Sequence, residues 1–383
     1  MKLDGRRESG AARAGSIARK LVHADPIRDL VRPALNGDRA ALARAISRVE
    51  NEAEDSVAIL DACFEKSGGA FRIGITGPPG AGKSTLVTRL AQAYRKRGET
   101  VAIVAVDPTS PFSGGALLGD RVRMGELAGD PGVFIRSMAT RGGMGGLAVH
   151  TAQVCDVLDA AGFARILIET VGVGQSELEV AETADSTAVV LVPESGDAVQ
   201  AMKAGLMEIG DLFVINKADR EGAERAAFAI RAALELRAPA AARGRPAGAP
   251  ATSGDRAWDP PVLLTVASQG TGVLEVAEAL ERHVEFLKQQ GGLERRRHER
   301  LERRLGDLLR AQMWADFRAR VTDAAWSEAL TALAERRWTP HQASRKLVER
   351  LGARSGRAQG PARVRPAPLA RAGPGAERVR AAR

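Results

Sequence analysis

Apolar residues first recur at helical spacing. Ile27, Leu30, Val31 and Leu35 form one run, then Leu42, Ala43, Ile46 and Val49, then Val57, Ile59, Leu60 and Cys63. Asn36-Gly37-Asp38 breaks the first run and caps the next. An all-helical subdomain is expected over 25–68. From Phe71 the pattern changes. Arg72–Thr76, Thr100–Val106, Val133–Ile135, Arg165–Ile168, Ser186–Val192, Leu212–Ile215 and Val262–Thr265 are short, largely apolar runs, the type a parallel sheet buries on both faces. Helical stretches lie between them. The expected fold is α/β, a doubly wound, mostly parallel sheet over 69–290 with helical extensions before and after it. From Val273 to about Leu351 the spacing is helical again. Over 294–320, Leu301, Leu305, Leu308, Leu309, Met313, Trp314 and Phe317 fall on one side and many Arg and Glu on the other. Such a stripe needs a cover, from the same chain or a partner subunit.

Composition and charge adjust this picture. A hydrophobic content of 44% over 383 residues suits a globular chain with a sizeable core. No apolar run is long enough to span a bilayer, and the first residues lack a secretory apolar core, so a cytoplasmic, bacterial-type chain is expected. The Arg-, Ala- and Ser-rich start hints at a mitochondrial matrix leader, against which Asp4 and Glu8 argue. The net charge of +9 suggests nucleic acid at first sight, but it sits at one end. Beyond Leu351 stand eight arginines (354, 357, 363, 365, 371, 378, 380, 383) and one glutamate, Glu377, a net of +7. The remainder carries about +2, which makes no basic domain and no specific nucleic-acid site. The tail 352–383 reads as a basic, disordered end and 1–24 as a mobile arm. The segment 238–257, low in large apolar residues, reads as a surface insertion. Cys63 and Cys155 form no CxxC pair and read as two buried thiols in a reducing compartment.

The strongest chemical signal is Gly77-Pro78-Pro79-Gly80-Ala81-Gly82-Lys83-Ser84, followed by Thr85. It fits G-x-x-x-x-G-K-[ST] without a mismatch and stands between a strand and a helix. Its glycines let backbone N–H groups face phosphate oxygens, and the helix N-terminus adds positive potential. Lys83 would neutralise the β- and γ-phosphates, and the Ser84 hydroxyl would bind Mg²⁺. Asn216-Lys217-Ala218-Asp219 fits N-K-x-D at a strand end. The Asp219 carboxylate can accept from guanine N1–H and N2–H₂, which adenine does not offer, so GTP is favoured over ATP. After the next strand, the backbone N–H of Ala267 or Ser268 could meet guanine O6. Asp107 and Glu169 end buried strands, where carboxylates face the Mg²⁺–phosphate region, and Asp120 is a third acidic candidate. Glu169-Thr170-Val171-Gly172 reads as D-x-x-G with Glu in place of Asp, and Gly172 would give an N–H to the γ-phosphate. The next residue, Val173, has no side-chain hydrogen bond with which to position water, and Gln175 lies two positions further on. Slow unaided hydrolysis is expected.

VDPTSPFSGGALLGDRVRM (106–124), ETVGVGQSE (169–177) and NKAD (216–219), with the phosphate loop, resemble the ArgK/MeaB family of SIMIBI-class P-loop GTPases. The likeness runs from about Leu30 to about Leu351. It implies GTP/GDP and Mg²⁺ as cofactors, with Lys83, Asp107, Asp120 and Glu169 serving catalysis and Ser84, Asp107 and Glu169 the metal. It implies a chaperone that gates adenosylcobalamin loading and release on an acyl-CoA mutase, foremost methylmalonyl-CoA mutase. A cobalamin adenosyltransferase would be a further partner. It also implies a homodimer joined through a helical arm at 291–351. Residues 194–203 resemble a loop that couples nucleotide state to the mutase, through Asp197, Gln200 and Lys203. Without the resemblance they read as a polar loop entering an amphipathic helix. Gly143 departs from the bulkier polar residue that relatives often carry. Two functions compete. A nickel metallochaperone GTPase needs clustered Cys and His, whereas the five histidines (23, 150, 283, 298, 341) are scattered. A nucleotide-dependent kinase needs an acceptor base, and no HRD-type motif is present.

Overall fold

The structure, a computed structural model, describes residues 27–108, 124–127, 129–140, 146–170, 176–193, 205–237 and 258–358. A π-helical turn at Ile27–Val31 runs into Arg32–Leu35, and helices α1 (Arg39–Glu50) and α2 (Ser56–Phe64) follow. Asp38 caps α1 by accepting from the N–H groups of Ala40 and Ala41, as its position after Asn-Gly suggests. Then come β1 (Phe71–Thr76), α3 (Lys83–Lys96), β2 (Val101–Pro108), β3 (Val133–Thr140), α4 (Gly146–Ala160), β4 (Arg165–Thr170), α5 (Ser176–Thr183) and β5 (Ser186–Leu191). The chain continues through α6 (Leu206–Ile209), β6 (Leu212–Asn216), α7 (Ala223–Arg237), β7 (Val262–Thr265), α8 (Val273–Gln289), α9 (Gly292–Arg320), α10 (Asp323–Ala334) and α11 (Pro340–Ala358).

The seven strands form one sheet in the order β3-β2-β4-β1-β5-β6-β7, and every pairing is parallel. Side chains alternate between its faces. Ile73, Ile75, Val101, Ile103, Leu167, Val190 and Val214 pack under α3 and α8. On the other face, Ala102, Val104, Val106, Ile166 and Ile168 meet α4, α1 and α2. Val189, Leu191, Phe213 and Ile215 meet α7. The helical subdomain thus covers the sheet above β2–β4. Strands buried on both faces explain the near-continuous apolar runs.

A charged network closes the sheet's N-terminal edge. Asp185, fully buried ahead of β5, accepts from Arg297 Nε and Nη2 at 3.3 and 3.2 Å, from Arg300 Nη2 at 2.9 Å and from the Arg72 N–H at 3.0 Å. Asp211, ahead of β6, accepts a bidentate pair from Arg296 at 3.0 and 2.8 Å and the Thr187 N–H at 2.9 Å. The same arginines donate to the carbonyls of Gly68, Ala70, Thr183 and Asp185. Burial works to raise the Asp185 pKa, but the charges of Arg300 and Arg297 hold the carboxyl below its usual range. All three arginines lie in the first turns of α9. The chain divides into compact units after Glu302, so the sheet's unit reaches beyond the boundary near 290 read from the sequence.

The second unit has its own small core of Val321, Ala329, Ala343 and Leu347, with Phe317, Trp326, Leu333 and Trp338 against it. Leu305, Leu308, Leu309, Met313 and Trp314 on α9 stay 45–69% exposed. The tail expected to be disordered from 352 is helical through Ala358, since its Ala and Arg content favours continuation of α11. The remainder, 359–383, the arm 1–24 and the insertion 238–257 lie outside the described residues.

His283, on the apolar side of α8, is fully buried with Nδ1 2.8 Å from Ser186 Oγ and Nε2 3.3 Å from Asp211 Oδ1. Burial pushes its pKa down to about 4, against the pull of Asp211. The unfolded chain takes up this proton below pH 6.5, while the folded chain resists to about 4, so stability falls as pH drops through that window. Between pH 7 and pH 5 the loss from this group should be about 2 kcal/mol. Urea melts at the two pH values test this; the pH dependence should flatten in His283→Gln.

Candidate functional site

All the described candidate groups stand at the C-terminal edge of the sheet. The phosphate loop leaves β1, which lies between β4 and β5. Gly77, at φ +136°, has no room for a side chain: a Cβ there would fall 2.0 Å from the Val190 carbonyl oxygen of β5. Gly82 is left-handed at φ +87°, and its Cβ would fall 2.3 Å from Asn216 Nδ2. Pro79, Gly80 and Thr85 are exposed, Pro78 is half-buried, and Ala81 is buried. Lys83 is buried, its Nζ donating to the carbonyls of Gly77 and Pro78 at 2.8 and 2.9 Å, which keeps the ammonium over the loop.

The Ser84 hydroxyl donates to Glu169 Oε1 at 2.5 Å. Glu169 is buried within β4, paired with Ile75 of β1 and Ala105 of β2. The adjacent Thr170 hydroxyl is 3.1 Å from that of Thr76, the last residue before the loop. A hydroxyl and a carboxylate side by side at the mouth of a phosphate loop are hard oxygen donors, and this pair fits Mg²⁺. Asp107 lies on β2 beside β4, one residue short of the strand's end. Asp120, Gly172, Val173, Gln175, Asp197, Gln200, Lys203 and Gly143 lie outside the described residues.

Asn216 ends β6 and is buried. Its Nδ2 donates to the Ala81 carbonyl at 2.8 Å. Its Oδ1 accepts from Thr265 Oγ1 at 3.1 Å and from the Ala267 N–H at 3.0 Å. One side chain thus ties the phosphate loop to the loop after β7. Lys217 takes a left-handed φ of +58°, the Ala218 N–H bonds the Thr265 carbonyl at 3.0 Å, and the chain then carries Asp219 into solvent. The Ala267 N–H is already donated to Asn216, so for an O6 acceptor the exposed Ser268 offers the other amide of the pair.

The sequence reading assigned Asn216 to the guanine motif but gave no sign of its two loop ties, nor of Arg89, whose guanidinium reaches Ser268. The pairing of β6 with β7 sets Asn216 beside Thr265 at the start of the loop after β7. The two cysteines are buried as expected, and burial pushes Cys63 up to about 11 and Cys155 up to about 12. Neutral, enclosed thiols are poor soft-metal ligands. Among the described residues no group of three or more His, Cys, Asp or Glu is placed to hold a metal ion, and no helix is long and apolar enough to cross a membrane.

A family model described as methylmalonyl Co-A mutase-associated GTPase MeaB matches residues 42–322. A Pyrococcus abyssi protein named as a GTPase is 43% identical over 325 residues, 85% of this chain and 97% of that protein. A Caenorhabditis elegans protein named methylmalonic aciduria type A homolog, mitochondrial, is 33% identical over 309 residues, 76% of this chain and 75% of that protein. The solved structure of a LAO/AO transport system kinase aligns with a TM-score of 0.63 at 27% identity, covering 87% of this chain and 99% of that one.

Replacing Asn216 by Ala would leave the Ala81 carbonyl and two donors without their partner, a cost of about 1–3 kcal/mol. GDP binding by Asn216→Ala, followed by calorimetry, should weaken about five- to 150-fold with circular dichroism unchanged.

Proposed function

We propose that this chain, which belongs to the MeaB family of GTPases, gates adenosylcobalamin loading and release on an acyl-CoA mutase and so protects that enzyme. Methylmalonyl-CoA mutase is the first candidate client. The observation that carries this reading is the family match across 42–322, which names that mutase and spans both loops joined by Asn216. The methylmalonic aciduria name of the nematode relative points the same way.

In this reading the amides at the start of α3 receive the phosphates and Lys83 leaves its loop carbonyls for the β- and γ-oxygens. Ser84 and Glu169, with Asp107 beside them on β2, would hold Mg²⁺. When bound, Mg²⁺ supplies charge neutralisation at the phosphates. Asp219 reads guanine N1–H and N2–H₂ from its exposed position, and the Ser268 amide, rather than that of Ala267, reads O6. Gly172, Asp120 and the coupling residues Asp197, Gln200 and Lys203 complete the proposal. With Val173 after Gly172, water positioning waits on the client, and the unaided rate stays low. A cobalamin adenosyltransferase would hand over the cofactor.

Single-turnover GTP hydrolysis should rise about tenfold or more when purified methylmalonyl-CoA mutase is added, and the two proteins should co-elute with a non-hydrolysable GTP analogue or with GDP. No complex in either nucleotide state and no stimulation would sink the assignment.

The exposed α9 stripe supports a homodimer. Light scattering of the full chain should report a dimer, and a Leu305→Glu, Leu309→Glu double variant a monomer that still binds GDP. A variant that stays dimeric would move the interface elsewhere.

A further inference from the structure

The loop after β7 is tightly wound. The Val266 N–H bonds the Thr271 carbonyl at 3.0 Å, the Gln269 N–H bonds the Val266 carbonyl at 2.9 Å, and the Gly270 N–H bonds the Ala267 carbonyl at 3.2 Å. The Ala267 N–H is fixed by Asn216. The peptide that carries the Ser268 N–H therefore has its own carbonyl, that of Ala267, and the peptide before it both tied down. The peptide after it is held through its Gln269 N–H, which leaves its carbonyl, that of Ser268, as the acceptor not used within the turn.

Arg89 takes up that acceptor. It projects from the second turn of α3, the helix that leaves the phosphate loop, and Nη2 donates to the Ser268 carbonyl at 3.4 Å. Its Nη1 donates to Gln92 Oε1 at 2.9 Å and to Glu126 Oε2 at 3.2 Å, and Gln92 Nε2 donates to the same Glu126 oxygen at 2.9 Å. The Glu126 side chain is largely exposed, but its backbone is anchored. It sits in a short 3-10 turn, Gly125–Leu127, between Met124 and Leu127, both buried in the core under α3. The guanidinium is thus oriented by two acceptors, one on α3 and one on this turn, and its Nη2 is turned toward the loop.

We propose that Arg89 is a positioning residue for recognition of the 6-position of guanine. It acts through the Ser268 carbonyl, holding the Ser268 amide where a base O6 would meet it. The inference rests on the guanine reading of this loop. It predicts a defect confined to one edge of the base. The 2-amino group is read by Asp219, on a different loop, so discrimination there should not depend on Arg89.

Calorimetric titration with GDP, IDP and 6-thio-GDP separates the two edges, because IDP lacks only the 2-amino group and 6-thio-GDP replaces only O6. The unsubstituted chain should prefer GDP over both. In Arg89→Ala the preference for GDP over 6-thio-GDP should shrink about three- to tenfold, while the preference over IDP stays within about twofold. Glu126→Gln, which keeps an acceptor for Arg89, should retain most of the 6-position preference. An Arg89→Ala protein with the 6-position preference intact overturns the proposal and leaves the guanine reading standing. So does equal loss at both edges, which would mean general loosening. An unsubstituted chain that does not distinguish GDP from 6-thio-GDP removes the O6 reading and the proposal together.

Discussion

A single buried carboxamide, that of Asn216, donates to the Ala81 carbonyl and accepts from the Thr265 hydroxyl and the Ala267 amide. Few side chains can do both. A carboxylate of the same shape would accept on the β7 side and repel the Ala81 carbonyl on the other. The contact also requires Gly82, because any Cβ there would occupy the space of Asn216 Nδ2. The glycine of one motif and the asparagine of another, over a hundred residues apart in sequence, are therefore two halves of one fitting. The phosphate loop and the loop after β7 are thereby held at a fixed separation, the kind of preorganisation that lowers the cost of binding.

The opposite edge of the sheet is held by a different force. Apolar burial drives the layers together but has no direction, so it tolerates small slides between packed elements. Bidentate guanidinium–carboxylate pairs are directional and fix one arrangement. Arg296 and Arg297 supply them, Arg300 adds a single bond to Asp185, and the three also satisfy the carbonyls of Gly68, Ala70, Thr183 and Asp185. Asp159 deals with the donors of the same turn, accepting from the N–H groups of Gly68, Gly69 and Ala70. A buried ion pair of this kind adds little net stability over a well-packed apolar replacement, and its contribution is geometric.

Much of this was legible in the sequence. The strands announce themselves as short apolar runs because both faces of a parallel sheet are dry, and the phosphate loop announces itself because its glycines answer local steric demands at Gly77 and Gly82. The succession of strands along the chain and the helical character of both extensions followed the same local signals, with strand ends drifting by a few residues: β3 runs to Thr140, well past Ile135. The arginine network was not legible. Arg296, Arg297 and Arg300 look like the solvated face of an amphipathic helix, and their partners lie 85 to 115 residues away. Periodicity separates apolar from polar positions; it does not separate a charge in water from a charge buried against its counter-ion. Arg89 was hidden for the same reason, as one basic residue on the exposed side of a helix.

Two strands carry both kinds of constraint. Asp185 precedes β5, whose Val190 carbonyl bounds Gly77, and Asp211 precedes β6, which ends in Asn216. Every residue of both strands is buried. At about 3.3 Å per residue, root and tip are separated by roughly 15–20 Å of extended chain packed on both faces. Such strands have little means of absorbing a displacement internally, since close-packed interiors transmit strain. The height at which Val190 meets the phosphate loop is therefore inherited from where Arg297 and Arg300 hold Asp185. The height of Asn216 is inherited in the same way from Arg296 and Asp211. The charged edge lies at the far end of these two strands from the phosphate loop and Asn216, yet it sets the level of both.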